Sequence, residues 1–178
     1  MISLFRSAPE LMVQYAHYHR DRRNIATHLV GIPLIVLSIG MLLSLVVIDI
    51  AGQSVSLAVL LWAFSSLWYL TRGNLLLGVA TSVVNGALFA LAHTPDAAVG
   101  WGLSGLYAAA WFPGLAVFVI GWIIQFVGHI FEGRKPAFVD DVVGLLVGPM
   151  FVVGELLMMA GMLRSMHSLI EAQAGATR

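Results

Sequence analysis

Five apolar runs, each about long enough to cross the hydrocarbon core of a bilayer, decide most of what this chain can become. At 1.5 Å rise per residue a helical span takes about 20 residues. The runs are 29–50, 54–71, 75–92, 103–128 and 142–163. They predict an all-α fold: a polytopic membrane helix bundle of four to five transmembrane helices, one integral membrane domain over 1–178, with a short polar N-terminal helix inside residues 1–28. The second and third runs contain no charge, and Arg72-Gly73-Asn74 between them reads as a tight turn joining antiparallel helices. The fourth reads as one long span with a kink at Pro113 and Gly114. The fifth holds Glu155, Pro149 and glycines at 144, 148, 154 and 161, which weaken a regular helix, so it reads as a span that is broken or re-entrant.

Composition narrows the function classes. Charged residues make up 10% of the chain and AVILMFWYC 60%, against about 25% charged in a soluble domain. That excludes a soluble globular domain and a disordered chain. Nine Lys+Arg balance nine Asp+Glu, so no net field gathers nucleic acid, and attachment to membrane lipid is hydrophobic. With no cysteine there is no thiolate metal site and no Cys nucleophile, which leaves His, Asp and Glu for metal or acid/base chemistry.

Counting loops then sorts the histidines. If the spans alternate, Arg6, Arg20, Arg22, Arg23, Arg72, Arg134 and Lys135 fall on one side, which the positive-inside rule makes cytoplasmic. His17, His19, His28 and His129 lie at that interface and His93 at the other; His167 stays open, depending on whether the fifth run crosses. On one straight helix His17 and His28 share a stripe, whereas a corner at Asp21–Asn24, with Asn24 as N-cap, lets His19 and His28 converge. Spacing alone leaves both open. His129 and Glu132, three apart, share a helix face, a spacing that recurs in di-iron carboxylate sites. Histidines without thiolates suit iron, zinc, copper or nickel, and iron best where the chemistry is oxidation. A single interfacial histidine is more often a capping or snorkelling residue, but four on one face make a candidate metal site. Asp140 and Asp141 pair most simply with Arg134 or Lys135, and the tryptophans are interface anchors.

Two segments carry a family resemblance: Tyr18-His19, Asn24 and His28 with Gly31 and Pro33; and Gly121-Trp122-Ile123-Ile124-Gln125-Phe126-Val127-Gly128-His129 followed by Phe131-Glu132, Arg134-Lys135-Pro136-Ala137 and Asp140. Pro149, Phe151 and Glu155 add a third match. The chain resembles the DUF962, or Mpo1-like, 2-hydroxy fatty acid dioxygenases. The resemblance implies an iron(II) enzyme, with Fe(2+) as cofactor, that takes a 2-hydroxy fatty acid and O2 and yields a fatty acid one carbon shorter. It implies His19, His28 and His129 as metal ligands, with His17 a fourth ligand, a supporting partner or incidental. His17 and the short His129–Glu132 spacing depart from the eukaryotic pattern. Glu132 or Asp140 is expected to orient a ligand histidine, and Arg20, Arg23, Arg134 or Lys135 to hold the substrate carboxylate. A bacterial inner membrane is the expected setting, with the endoplasmic reticulum as alternative. Competing classes are a histidine-ligated haem protein, disfavoured because the histidines cluster at a polar edge, and a scaffold or small transporter, for which no internal repeat speaks. Nothing in the sequence fixes an oligomeric state.

Overall fold

A computed structural model describes residues 3–93 and 111–178. After a 3-10 turn at Ser3–Phe5 come α1 (Ala8–Ala16), α2 (Arg22–Ser44), a hairpin of β1 (Val47–Ile50) and β2 (Gln53–Ser56), α3 (Leu57–Leu70), α4 (Leu75–Ala92), α5 (Phe112–Glu132), a 3-10 turn at Ala137–Val139, α6 (Gly144–Met159) and α7 (Arg164–Ala174). The architecture is an all-α membrane helix bundle. Among the described residues α2, α4 and α5 are long and apolar enough to cross a bilayer, α3 is a shorter apolar helix of 14 residues, and α6 with α7 make a further apolar stretch bent by 113°.

The helix ends follow local chemistry. Glu10 reaches back to accept from the Ser7 N–H, closing the start of α1. Asp21 caps α2 by accepting from the Arg23 N–H, so the expected cap at Asn24 is corrected: Asn24 lies inside α2, and the helix begins seven residues before the apolar run because Arg22 and Arg23 are good helix formers. The expected loop after the first run is instead the β1–β2 hairpin, turned by Ala51 and Gly52 with φ of 52° and 81°, the positive pair that suits a two-residue hairpin. Asn74 caps α4 as the Arg72-Gly73-Asn74 turn required. Pro113 occupies the first turn of α5, where its missing N–H costs nothing; the N-terminal part of that predicted run, and with it the expected kink, lies outside the described residues. Gly133, at φ 68°, ends α5.

The fifth run is broken by a bend of 113° between α6 and α7. Gly161 (φ 78°) and Leu163 (φ 53°) turn it sharply, and α7 packs back on α1, burying Met166 and Ile170. Arg178 then pairs with the corner before α2: its N–H donates to Arg20 O at 2.9 Å, and the Arg22 N–H donates to Arg178 O at 3.0 Å. The fully buried core joins these elements, with Met12 from α1, Tyr69 from α3, Leu77 from α4, and Met150 and Phe151 from α6.

The most extensive interface is α2 against α5, and it is built on small residues. A Cβ at Gly121 would lie 2.7 Å from Ile35 Cγ1, and one at Gly128 would collide with Thr27 Oγ1. Without those atoms the two backbones approach closely, a device of membrane helices that lack a hydrophobic drive to associate. The crossing brings the N-terminal turns of α2 beside the C-terminal turns of α5.

Candidate metal centre

The site begins with the corner between α1 and α2. From the last turn of α5, Glu132 Oε2 accepts from the Arg20 N–H (2.9 Å), the Asp21 N–H (2.8 Å) and Asn24 Nδ2 (3.1 Å). The first two are backbone donors of a chain reversal that no helix satisfies, and the third is a side-chain amide from the first turn of α2. Asn24 Nδ2 also donates to Tyr18 O. The corner so fixed turns His19 inward from 17–21, towards His28 on α2 and His129 on α5.

All three are buried, at 0%, 2% and 7% exposure, and their ligating nitrogens lie within 4.8 Å of one another. Two are oriented by carbonyls: His19 Nδ1 donates to Tyr15 O at 2.8 Å and His28 Nδ1 donates to Asn24 O at 2.8 Å. A carbonyl only accepts, so each Nδ1 carries the proton and each Nε2 presents a lone pair. The two Nε2 atoms face each other at 2.9 Å. Two acceptors at that distance repel unless a cation lies between them. A proton is a poor one, because burial and the neighbouring His28 hold the His19 imidazole neutral, pushing its pKa well below the ordinary value. The donor set therefore fits a metal ion: neutral imidazoles, locked tautomers and backbone partners on the second nitrogen. His129 Nδ1 is buried without a hydrogen bond of good geometry. Tyr15 stacks on His19 with ring centroids 4.2 Å apart and 3° between planes, and Phe151 closes on both rings.

Beside the histidines lies a cavity of about 280 Å³. His28, His129, Tyr15 and Gln125 contribute its polar side chains, while Ile32, Ile35, Val36, Ile39, Phe118 and Leu145 make an apolar wall running along α2 away from the site. One end is thus suited to a polar, metal-binding group and the rest to an alkyl chain.

A family model described as 2-hydroxy-palmitic acid dioxygenase Mpo1-like matches residues 5–160. The chain belongs to the Mpo1-like family. The 2-hydroxy-palmitic acid dioxygenase MPO1 of Saccharomyces cerevisiae is 34% identical over 163 residues, covering 88% of this chain and 83% of the yeast protein. No solved structure matches this Mpo1-like chain.

The structure brings together His19, His28 and His129 and leaves the other expected residues elsewhere. His17 is exposed just past the end of α1, its carbonyl accepting from Arg134 at 2.9 Å, and is not in the three-histidine group. Asp140 touches none of the three; it accepts from Tyr18 Oη at 2.9 Å and pairs with Lys135 at 2.6 Å. Glu132 shapes the corner that carries His19 and bonds no histidine directly. The expected carboxylate holders are committed too. Arg20 donates to Ala16 O, His19 O and Gly175 O; Arg23 forks onto Asp21 and lies over Phe131. None of the four cations lines the cavity. His93 bonds Ser56 and His167 pairs with Glu171 at 3.7 Å, both away from the site. Sequence reasoning gave no role to Tyr15, and quoted Gln125 only within the resemblance motif; the available signal was a lone amide inside an uncharged run, one helical turn before His129.

Proposed function

We propose that the chain is an iron(II)-dependent dioxygenase of fatty acid α-oxidation, converting a 2-hydroxy fatty acid and O2 to the fatty acid one carbon shorter, with the carboxyl carbon leaving as carbon dioxide and one water formed. The observation that carries this reading is the buried three-histidine group opening on an apolar cavity, in a chain of the family whose yeast member bears the name of a 2-hydroxy-palmitic acid dioxygenase. His19, His28 and His129 hold the metal. Iron(II) bound there supplies a Lewis acid and redox centre with positions left for oxygen and for the hydroxy acid. The carbonyls of Tyr15 and Asn24 keep the two Nε2 lone pairs aimed at one point, Tyr15 and Phe151 keep water from the back of His19, and the wall along α2 seats the alkyl chain. Arg134 and Lys135 adjoin Pro136 and Ala137 of the cavity lining, a position from which they draw in an anionic head without holding it. The site then faces the cytoplasm of a bacterial inner membrane. A haem reading fits poorly, since two histidines on opposite faces of a porphyrin, with bonds of about 2 Å each, stand about 4 Å apart, whereas the His19 and His28 nitrogens are 2.9 Å apart, a separation that suits neighbouring positions on one ion.

The test is elemental analysis of the detergent-purified protein with oxygen uptake on 2-hydroxypalmitate. Near-stoichiometric iron in the wild type and in His17→Ala, with loss of iron and of oxygen uptake in His19→Ala, His28→Ala and His129→Ala, is the expected result. A wild type that takes up no iron and consumes no oxygen would overturn the assignment.

A further inference from the structure

Gln125 is 3% exposed, and neither its Oε1 nor its Nε2 has a hydrogen-bond partner among the described residues. Buried amides are nearly always paired, because an unpaired end loses its bonds to water and gains none in exchange. This one lies on α5 one turn before His129, lines the cavity with His28 and His129, and lies close against α2 at a glycine: a Cβ at Gly31 would stand 2.7 Å from its Nε2. The fold thus holds an amide in the same cavity as His28 and His129 and gives it no partner among the described residues. The Tyr15 hydroxyl also lies beside this space, 3.3 Å from where a Cβ on Gly148 would be. No cationic side chain lines this space.

We infer that Gln125 is the residue that distinguishes a 2-hydroxy fatty acid from an unsubstituted one, its amide bonding the polar head of the substrate. This rests on the dioxygenase reading and deepens it. A 2-hydroxy carboxylate offers a hydroxyl donor and carboxylate acceptors on adjacent carbons, the complement of an amide carbonyl and an amide NH2. An unsubstituted acid satisfies the NH2 but leaves Oε1 unpaired in an apolar wall. Sites that bond a substrate hydroxyl reject the analogue lacking it by large factors, because their own buried groups are then stranded. The carboxylate charge needs no arginine here, since the bound cation balances it.

The experiment uses the full-length, detergent-solubilised protein, immobilised, with radiolabelled 2-hydroxypalmitate and palmitate as probes, each with iron loaded and with iron removed by chelation. Wild type is expected to retain 2-hydroxypalmitate at least about 100-fold more tightly than palmitate. In Gln125→Leu that ratio falls below about 10-fold, mainly through weaker binding of the hydroxy acid and a raised KM, while iron content is unchanged and the Tm of the ligand-free protein is equal to or above that of wild type, since a stranded amide has been removed. Gln125→Glu keeps the shape and cannot donate when ionised; it is expected to bind both acids more weakly than Gln125→Leu. An unchanged ratio in Gln125→Leu would overturn the inference and leave the dioxygenase reading standing. Loss of iron and of Tm in both variants would also overturn it, making Gln125 a structural support. A wild type that neither binds 2-hydroxypalmitate nor consumes oxygen would remove the dioxygenase reading and the inference with it.

Discussion

Glu132 is the side chain on which the histidine geometry depends without being part of it. One carboxylate oxygen collects three buried donors from the corner that carries His19. Glu132→Ala strands all three, and at about 1 kcal/mol or more each the expected loss is about 3 kcal/mol, read by denaturant unfolding, together with weaker iron retention. Glu132→Gln, which keeps a carbonyl acceptor, is expected to lose less than half of that. Asp140 makes a contrasting case at the surface. Lys135 and then Tyr18 hold its carboxyl below the ordinary 3.8, so the folded-state pKa is depressed and the link to Tyr18 is present above 3.8 and lost as pH falls through the lower folded value. A small Tm difference between wild type and Asp140→Asn is therefore expected at neutral pH and should vanish in that acid window. At this scale the sequence was partly readable. His19, His28 and His129 could be grouped because loop counting put them on one interface; that Glu132 would serve backbone donors near Arg20 could not, because the sequence carries no mark of which distant N–H groups a carboxylate will meet.

Among the elements, the pairing of α2 with α5 sets the distance between His28 and His129. Gly128→Ala puts a methyl group against Thr27 and Asn24, so the helices must part or the corner must shift. The expected outcome is a folded protein with Tm lowered by several degrees, from overpacking of about 1–3 kcal/mol, and iron affinity reduced at least about 10-fold. A protein with Tm and iron affinity both intact would show that the crossing does not position the site. The helices themselves were legible, because long apolar runs have few alternatives in lipid. Their ends were less so. Asp21 and Asn24 are both good caps, and only the position of α1 decides that the earlier one is used; the β1–β2 hairpin was missed because Ala51-Gly52 is a weak turn signal beside an unbroken apolar run; and Pro113 reads equally well as a kink or as a first-turn residue until the start of α5 is known.

For the molecule as a whole, the return of α7 to α1 places residues 164–178 on the same side as the N-terminal segment, with the β1–β2 hairpin on the other. The absence of cysteine makes this easy to check. In sealed inverted vesicles from a bacterial host, Ala176→Cys is expected to react with an impermeant maleimide and Gln53→Cys to react only after the vesicles are opened; the reverse pattern, or labelling of the two from opposite sides to those named, would contradict the topology. The sequence left this undecided because a break within an apolar run fixes a bend and not its direction, which is set by where Met166 and Ile170 find a surface to cover. The three histidines also differ in when they are made. His19 and His28 emerge early in synthesis, but the pocket they share has no third wall until α5 has been threaded into the bilayer and has closed against α2. A nascent chain still short of His129 holds only a pair of imidazoles, so on the iron reading proposed above the three-histidine pocket is complete only once α5 has entered the membrane.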